Sequence, residues 1–237
     1  HRPGGGVRGD IWVNDYFTGH KQYSMRQYDF GPKSDDFRFY GLRGNLHVVQ
    51  YLRAAEFNIM PLICDGSKAP KIKWSEYQTE RVPQELIDKH FVHSAEPSGI
   101  GVICGSSSGF LEILDFDNPH LFLPWCRLVA AELGGEFVRK LVVVQTPKGG
   151  WHVYYRCMRM EGNRKLAYDA AGKIQIETRG QGGQAVMPGS PNWTHPTGKP
   201  YRLFQGRFDQ VPMIGAENHR KVIIEAAVSF DTGPPKK

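Results

Sequence analysis

The chain has 237 residues, enough for one large or two small domains, and 40% of them are hydrophobic, which is compatible with a buried core. Thirty Lys and Arg against 24 Asp and Glu give a formal net charge of +6, which suits a polyanionic partner without requiring one. No stretch approaches the roughly 20 apolar residues of a membrane span, and the four cysteines lack metal-ligand spacing, so we predict a cytoplasmic protein with reduced thiols and no membrane partner.

Residues 1–44 differ in composition from the rest of the chain. They are rich in Gly, Arg and aromatic residues without a sustained apolar period, which predicts an extended arm that packs on the main body. Stacking of these aromatic side chains on bases is the alternative. We expect the main folded domain over residues 45–210 and a C-terminal helix and tail over residues 211–237. The chain starts on His1 and ends in "TGPPKK", which is consistent with either end being a boundary within a longer protein.

The first half of the main domain alternates helices with apolar strands. The pattern predicts an amphipathic helix behind an Asn cap in "NLHVVQYLRAAEF", a strand in "NIMPLICDG" and a short helix in "PQELIDKHFV". The apolar segments "GIGVICG" and "FLEILDFD" flank a Ser-rich turn and are predicted to pair as a hairpin. A helix then follows in "LFLPWCRLVAAEL" and is predicted to end at Gly134-Gly135.

The second half repeats short strands and turns. We predict strands in "LVVVQT", "WHVYYRC", "KIQIETRG", "QGGQAVMPG" and "YRLFQG". A polar excursion, "RMEGNRKLAYDAAG", separates the second of these strands from the third, and "GAENHRKVIIEAAVSF" closes the domain as a helix. The whole pattern is typical of an α+β fold in which an antiparallel or mixed sheet is flanked by helices.

The strand "FLEILDFD" ends on two closely spaced aspartates. Successive side chains of a strand point to opposite faces, so Asp115 and Asp117 share one face while Phe116 points into the core. Their mutual repulsion is relieved either by a raised pKa or by a cation, and hard ions such as Mg²⁺ or Mn²⁺ prefer oxygen ligands. A strand that simply ends in an acidic turn is the alternative for this tripeptide alone.

A glycine turn and a histidine follow in "QTPKGGWHVYY". Gly149 and Gly150 allow a backbone to approach a ligand closely, and Lys148 together with His152 could bind phosphate oxygens there. A histidine inside a strand is more often structural, but its position beside a glycine turn and a lysine leaves the structural and the functional role equally open.

The third polar segment is "KIQIETRGQGGQAVMPGS". Period-two alternation places Glu177 and Arg179 on one face, opposite the isoleucines. A carboxylate there can complete the metal coordination begun by the two aspartates, and Arg179 can neutralise a phosphate. A salt-bridged strand edge with a flexible hairpin is the structural alternative.

The order Asp-x-Asp, Gly-Gly-x-His and hydrophobic-Glu followed by Arg-Gly is more specific than any of its parts. In this order the chain resembles the archaeo-eukaryotic primase superfamily, in particular the bifunctional primase/polymerase branch of plasmids, phages and other mobile elements. The segments "TPKGGWHVYY", "TRGQGGQAVMPGS" and "KAPKIKW" are similar to further segments of that branch. The resemblance covers about residues 45 to 205 and makes the main domain the catalytic one.

The resemblance implies an RRM-like core that presents three acidic side chains to two divalent ions, Mg²⁺ or Mn²⁺, for nucleotidyl transfer. The metal ligands that it implies are Asp115, Asp117 and Glu177. The nucleotide contacts that it implies are His152, Lys148, Gly149, Gly150 and Arg179, with Lys71 or Lys73 as weaker candidates. Because no G-x-x-x-x-G-K-[ST] segment occurs, any nucleotide would be held by metal and side chains rather than by a P-loop.

The implied substrates are dNTPs or rNTPs, and the implied partners are a single-stranded DNA template and a primer. A helicase or a C-terminal accessory domain outside this chain is a further expected partner. The host would be a bacterium, an archaeon or a phage-infected cell, with the protein in the cytoplasm. Two other classes of function stay open: a non-catalytic module that binds single-stranded nucleic acid, and a metal-dependent nuclease that uses the same carboxylates.

Overall fold

The structure is a computed structural model that describes residues 12–13, 23–24, 45–215 and 217–234. Its strands are β1 (Trp12–Val13), β2 (Tyr23–Ser24), β3 (Asn58–Leu62), β4 (Gly99–Ile103), β5 (Leu111–Phe116), β6 (Val142–Gln145), β7 (Trp151–Arg156), β8 (Arg164–Tyr168), β9 (Ile174–Arg179), β10 (Gln184–Val186) and β11 (Arg202–Gln205). Its α-helices are α1 (Leu46–Ala54), α2 (Gln84–Phe91), α3 (Phe122–Leu133), α4 (Gly135–Lys140) and α5 (His219–Val228). Apart from the antiparallel pair β1 and β2, the predicted N-terminal arm lies outside the described residues.

Two antiparallel sheets form the main domain. The larger has six strands in the order β11-β6-β7-β5-β9-β8, and the smaller has three in the order β10-β4-β3. Every pairing within both sheets is antiparallel, so the predicted α+β class is confirmed, with antiparallel rather than mixed sheets. The order of the larger sheet places β5 near its centre, with β7 on one side and β9 on the other.

The six-stranded sheet is buried on both faces by separate hydrophobic clusters. On one face Ile113 and Tyr154 pack in a cluster that also contains the smaller sheet and helices α1 and α2. On the other face Phe116 and Trp151 pack against α3 and α5. Because Asp115 alternates with Phe116 along β5, its carboxyl lies on the face of the smaller sheet.

All four predicted helices are confirmed, as α1, α2, α3 and α5. Asn45 occupies the predicted cap position of α1, but its side chain makes no capping bond. Its Nδ2 instead donates to the Ser98 carbonyl oxygen at 2.8 Å, which ties the start of the helix to the start of β4. The cap position is thus used for a contact between distant segments of the chain.

The predicted hairpin between the strands on either side of the Ser-rich turn is wrong. Strand β4 is bordered by β3 and β10 in the smaller sheet, whereas β5 pairs with β7 and β9 in the larger sheet. An isolated bridge joins Gly105, which follows β4, to Leu111 of β5. Both edges of β4 already carry a hydrogen-bonded partner, so β5 passes into the second sheet.

Three further differences concern the second half of the chain. The segment read as a polar excursion contains strand β8, whose first two residues are exposed because β8 is an edge strand. Helix α3 ends at Leu133, in agreement with the predicted stop at Gly134-Gly135, but Gly135 also begins the short helix α4, which the sequence analysis does not predict. Strand β10 leaves its sequence neighbours and joins the smaller sheet beside β4.

All four cysteines are free thiols; Cys104, Cys126 and Cys157 are buried and Cys64 is partly exposed. In the part of the chain that the structure describes, no helix has the length and apolar character needed to cross a bilayer.

Candidate active site

A row of polar side chains crosses the centre of the larger sheet. In the antiparallel register, Asp115 on β5 lies directly opposite His152 on β7 and directly opposite Glu177 on β9. Directly opposed residues of an antiparallel pair carry their side chains on the same face, with Cβ atoms roughly 5 Å apart. All three polar side chains are buried, on the face of the sheet that otherwise packs in a hydrophobic cluster. Three segments that are far apart in sequence therefore converge on one small polar area.

Asp117 extends this row by one step along β5. It follows the last strand residue, Phe116, and its backbone N–H still donates to the Gln175 carbonyl oxygen of β9 at 3.0 Å. Asp117 is exposed at the mouth of the site. Desolvation by the surrounding protein and the negative charge of Asp115 raise the pKa of the Asp117 carboxyl. The two aspartates thus repel each other as the sequence predicts.

Arg179 binds two of the carboxylates at once. Its Nη2 lies 2.6 Å from Glu177 Oε1 and 3.2 Å from Asp115 Oδ2. Burial alone would lower the pKa of Arg179, but the charges of Asp115 and Glu177 raise it above its usual value. Burial also raises the pKa of Glu177, with Asp115 and Asp117 adding to the effect and Arg179 opposing it. The site is therefore held together by a shared cation.

The surroundings of His152 favour the neutral form of its imidazole. Burial lowers its pKa, against the opposing charge of Asp115. Its Nε2 lies 3.5 Å from Asp115 Oδ1, and its Nδ1 lies 3.4 Å from the Tyr154 hydroxyl oxygen. A neutral imidazole offers one donor and one acceptor, so His152 can donate a hydrogen bond to an anion without adding a full charge.

The carboxylates offer only oxygen ligands, which is the donor set that Mg²⁺ and Mn²⁺ prefer. Among the residues that the structure describes, no group of three or more His, Cys, Asp or Glu is already gathered to hold a metal ion. The guanidinium of Arg179 lies between Asp115 and Glu177 and supplies the positive charge there. The donor set fits a hard divalent ion, and in this structure Arg179 balances the charge of the two carboxylates.

The glycine turn before β7 brings Lys148 to the same side of the sheet. The turn is closed by bonds from Thr146 N to Gly150 O and from Gly149 N to Thr146 O, both 2.9 Å. Gly149 has a φ of 91°, which favours glycine, and open space beside its Cα. Gly150 instead lies against the Phe116 carbonyl oxygen, so its missing side chain serves packing on β5. Lys148 is exposed and lowers the pKa of Asp117.

The two weaker lysine candidates lie differently. Lys71 donates from Nζ to the Pro97 carbonyl oxygen at 3.0 Å and is thereby directed at the loop before β4. Lys73 is exposed on the loop that leads to Trp74. Lys68, to which the sequence analysis gives no role, carries a positive charge that lowers the pKa of both His152 and His195. Its signal in the sequence is the Lys-x-Pro at the start of "KAPKIKW".

A second histidine also faces this site. The rings of His152 and Tyr201 have centroids 5.8 Å apart, and those of Tyr201 and His195 are 5.9 Å apart. Burial together with Lys68 and Lys148 lowers the pKa of His195. The segment "NWTHPTGKPY" that carries His195 and Tyr201 looks like an ordinary loop in the sequence, so only its folded position reveals the contact.

The site joins carboxylates that can bind hard cations with an arginine and lysines that can bind phosphate. The chain is thus an α+β protein with a cluster of charged side chains on the face of an antiparallel sheet. A family model, Prim-Pol, described as "Bifunctional DNA primase/polymerase, N-terminal", matches residues 48–215, more than two thirds of the chain. The chain therefore belongs to the Prim-Pol family. No curated protein sequence matches it.

Proposed function

We propose that this protein is a template-dependent nucleotidyl transferase, a DNA primase, a DNA polymerase or both, that replicates a mobile element or phage. The observation that carries the proposal is the register that sets Asp115, His152 and Glu177 in one row, with Asp117 at its open end. Family membership supports the same class of activity. The mobile-element context rests on the resemblance of the sequence motifs alone.

In the proposed reaction, the 3′-hydroxyl oxygen of a primer bonds to the α-phosphorus of a nucleoside triphosphate. The bond from that phosphorus to the β-phosphate oxygen breaks, pyrophosphate leaves and the hydroxyl proton is lost. Two Mg²⁺ or Mn²⁺ ions would supply charge neutralisation for this in-line displacement. The residues that would hold them are Asp115, Asp117 and Glu177.

The remaining side chains of the site would bind and orient the triphosphate. Neutral His152 can donate a hydrogen bond to a phosphate oxygen, while Lys148 and Arg179 can pair with its charge. Lys71 is a weaker candidate for binding phosphate, because its ammonium is already bonded to the Pro97 carbonyl oxygen, and we propose Lys68, whose positive charge acts on His152, as a further candidate. Base pairing with the template would select the nucleotide, and the basic surplus of the chain would bind the template backbone, so binding should weaken as salt rises.

Incorporation of labelled dNTPs and rNTPs on a single-stranded template, with Mg²⁺ or Mn²⁺ and with or without a primer, tests the proposal. We expect metal-dependent synthesis by the wild type, none by Asp115→Ala/Asp117→Ala, and wild-type synthesis by Glu132→Ala, which removes an exposed carboxylate from α3. The unprimed reaction separates priming from extension.

Two outcomes would overturn the proposal. Template binding without synthesis, equal in the wild type and the double variant, would identify a binding module. Shortening of the template, lost in the double variant, would identify a nuclease.

A further inference from the structure

Arg179 occupies an unusual position for a residue expected to bind phosphate. A single nitrogen of its guanidinium, Nη2, is within ion-pair distance of both Glu177 and Asp115. These two carboxylates are directly opposite each other across β5 and β9. The guanidinium therefore lies at the point where their charges meet.

That point is also where a divalent ion would bind. Arg179 contacts one oxygen of each carboxylate, Asp115 Oδ2 and Glu177 Oε1, and satisfies part of their negative charge. A divalent ion held by the same two carboxylates would compete with the guanidinium for that charge and would be repelled by it. Binding of the ion and the present position of Arg179 therefore oppose each other.

The side chain of Arg179 can leave without disturbing the sheet. It is 31% exposed, whereas Thr178 before it is fully buried. After it, the Gly180 N–H donates to Asn163 Oδ1 at 3.1 Å, and the Gly183 N–H donates to the Gly180 carbonyl oxygen at 2.8 Å. The backbone on both sides is thus fixed, and the displacement requires rotation of the side chain only.

We propose that Arg179 is a displaceable counter-ion, which neutralises Asp115 and Glu177 in the metal-free protein and moves to the phosphates of the nucleotide when the metal binds. The inference rests on the proposed function, because it names the anion to which Arg179 moves. Arg179 then has two successive partners, the carboxylates and the triphosphate. Its competition for the carboxylates keeps metal binding weak until a triphosphate is present. By linkage, the metal and the nucleotide favour each other's binding.

The test measures binding of Mn²⁺ alone, without nucleotide, from the electron paramagnetic resonance signal of the free ion. We expect Arg179→Gln to bind Mn²⁺ on the order of tenfold more tightly than the wild type, because a charge-assisted bond that competes with the ion is gone. In EDTA the same variant should melt at a lower temperature than the wild type, and added Mn²⁺ should raise its melting temperature more.

Two further variants keep the test decisive. Arg164→Gln removes an exposed arginine of the neighbouring strand β8 that pairs with Glu161, and its Mn²⁺ affinity should equal that of the wild type. Arg179→Lys keeps the charge but loses the guanidinium fork, so its affinity should lie between those of the wild type and Arg179→Gln. It also serves if the glutamine variant fails to fold.

An unchanged or weaker Mn²⁺ affinity in both Arg179 variants would overturn the inference. If the wild type nevertheless synthesises DNA with metal, the proposed function stands and only the counter-ion role fails. Tighter binding by the Arg179 variants without any synthesis by the wild type would support the counter-ion and reject the polymerase.

Discussion

Replacing Gly150 by alanine should separate packing from ligand contact in the glycine turn. An added Cβ would lie less than 3.0 Å from the Phe116 carbonyl oxygen and 3.1 Å from Thr146 Oγ1. The first of these atoms belongs to the backbone of β5 and cannot rotate away. Relief therefore requires β5 and β7 to separate beside the active-site row.

The magnitude follows from this geometry. Overpacking of a closely packed site costs about 1–3 kcal/mol, and a clash with strand backbone belongs at or above the upper end. We expect Gly150→Ala to lose at least about 3 kcal/mol in free energy of unfolding, roughly 6–12 °C in melting temperature for a domain of this size. Synthesis should fall as well, because Asp117 directly follows Phe116.

Thermal unfolding followed by circular dichroism measures the effect. The matched control is Gly135→Ala at the start of α4, where the nearest atom to an added Cβ is the flexible Arg139 guanidinium at 3.4 Å. This variant should stay within about 1 kcal/mol of the wild type. A Gly150→Ala protein as stable as the control would refute the close approach of the turn to β5.

Two other predictions test the interior. Arg220→Met leaves the fully buried Glu112 without the Nε and Nη2 bonds of 2.8 and 3.0 Å, so urea titration should show a loss of about 3–5 kcal/mol. As the control, Arg159→Met removes the exposed ion pair with Glu217 and should lower the free energy of unfolding by less than about 1 kcal/mol. Equal losses in Arg220→Met and Arg159→Met would contradict the assignment of a buried pair. Burial raises the pKa of Cys126 to about 12, so in the native protein a thiol reagent should label the partly exposed Cys64 first. Prompt labelling of more than one thiol without denaturant would show that the buried ones are accessible.

Much of the secondary structure could be predicted because it depends on local periodicity. Helices α1, α2, α3 and α5 and most strands follow from apolar spacing, and the α+β class follows from short strands and tight turns between the helices. The missed strand β8 shows where this signal ends. As an edge strand it begins with exposed Arg164 and Lys165, and its sequence therefore lacks the apolar alternation of a buried strand.

The wrong hairpin has a different physical cause. Closeness in sequence favours pairing of β4 with β5, but each strand has two edges, and the partners are chosen by the burial of whole faces. In this protein β3 and β10 cover the edges of β4, so β5 enters the larger sheet. A local pattern carries no record of this competition between distant strands.

The sequence by itself determined which side chains can act together along one strand. Period-two alternation places Asp115 with Asp117 and Glu177 with Arg179, because side-chain direction in a strand depends only on local backbone geometry. Tertiary structure decided that His152 and Glu177 lie directly opposite Asp115, that Arg179 bridges two carboxylates, and that the Tyr201 ring contacts those of His152 and His195. These relations depend on register and sheet order, which arise from hydrogen bonds and burial between segments far apart in the chain.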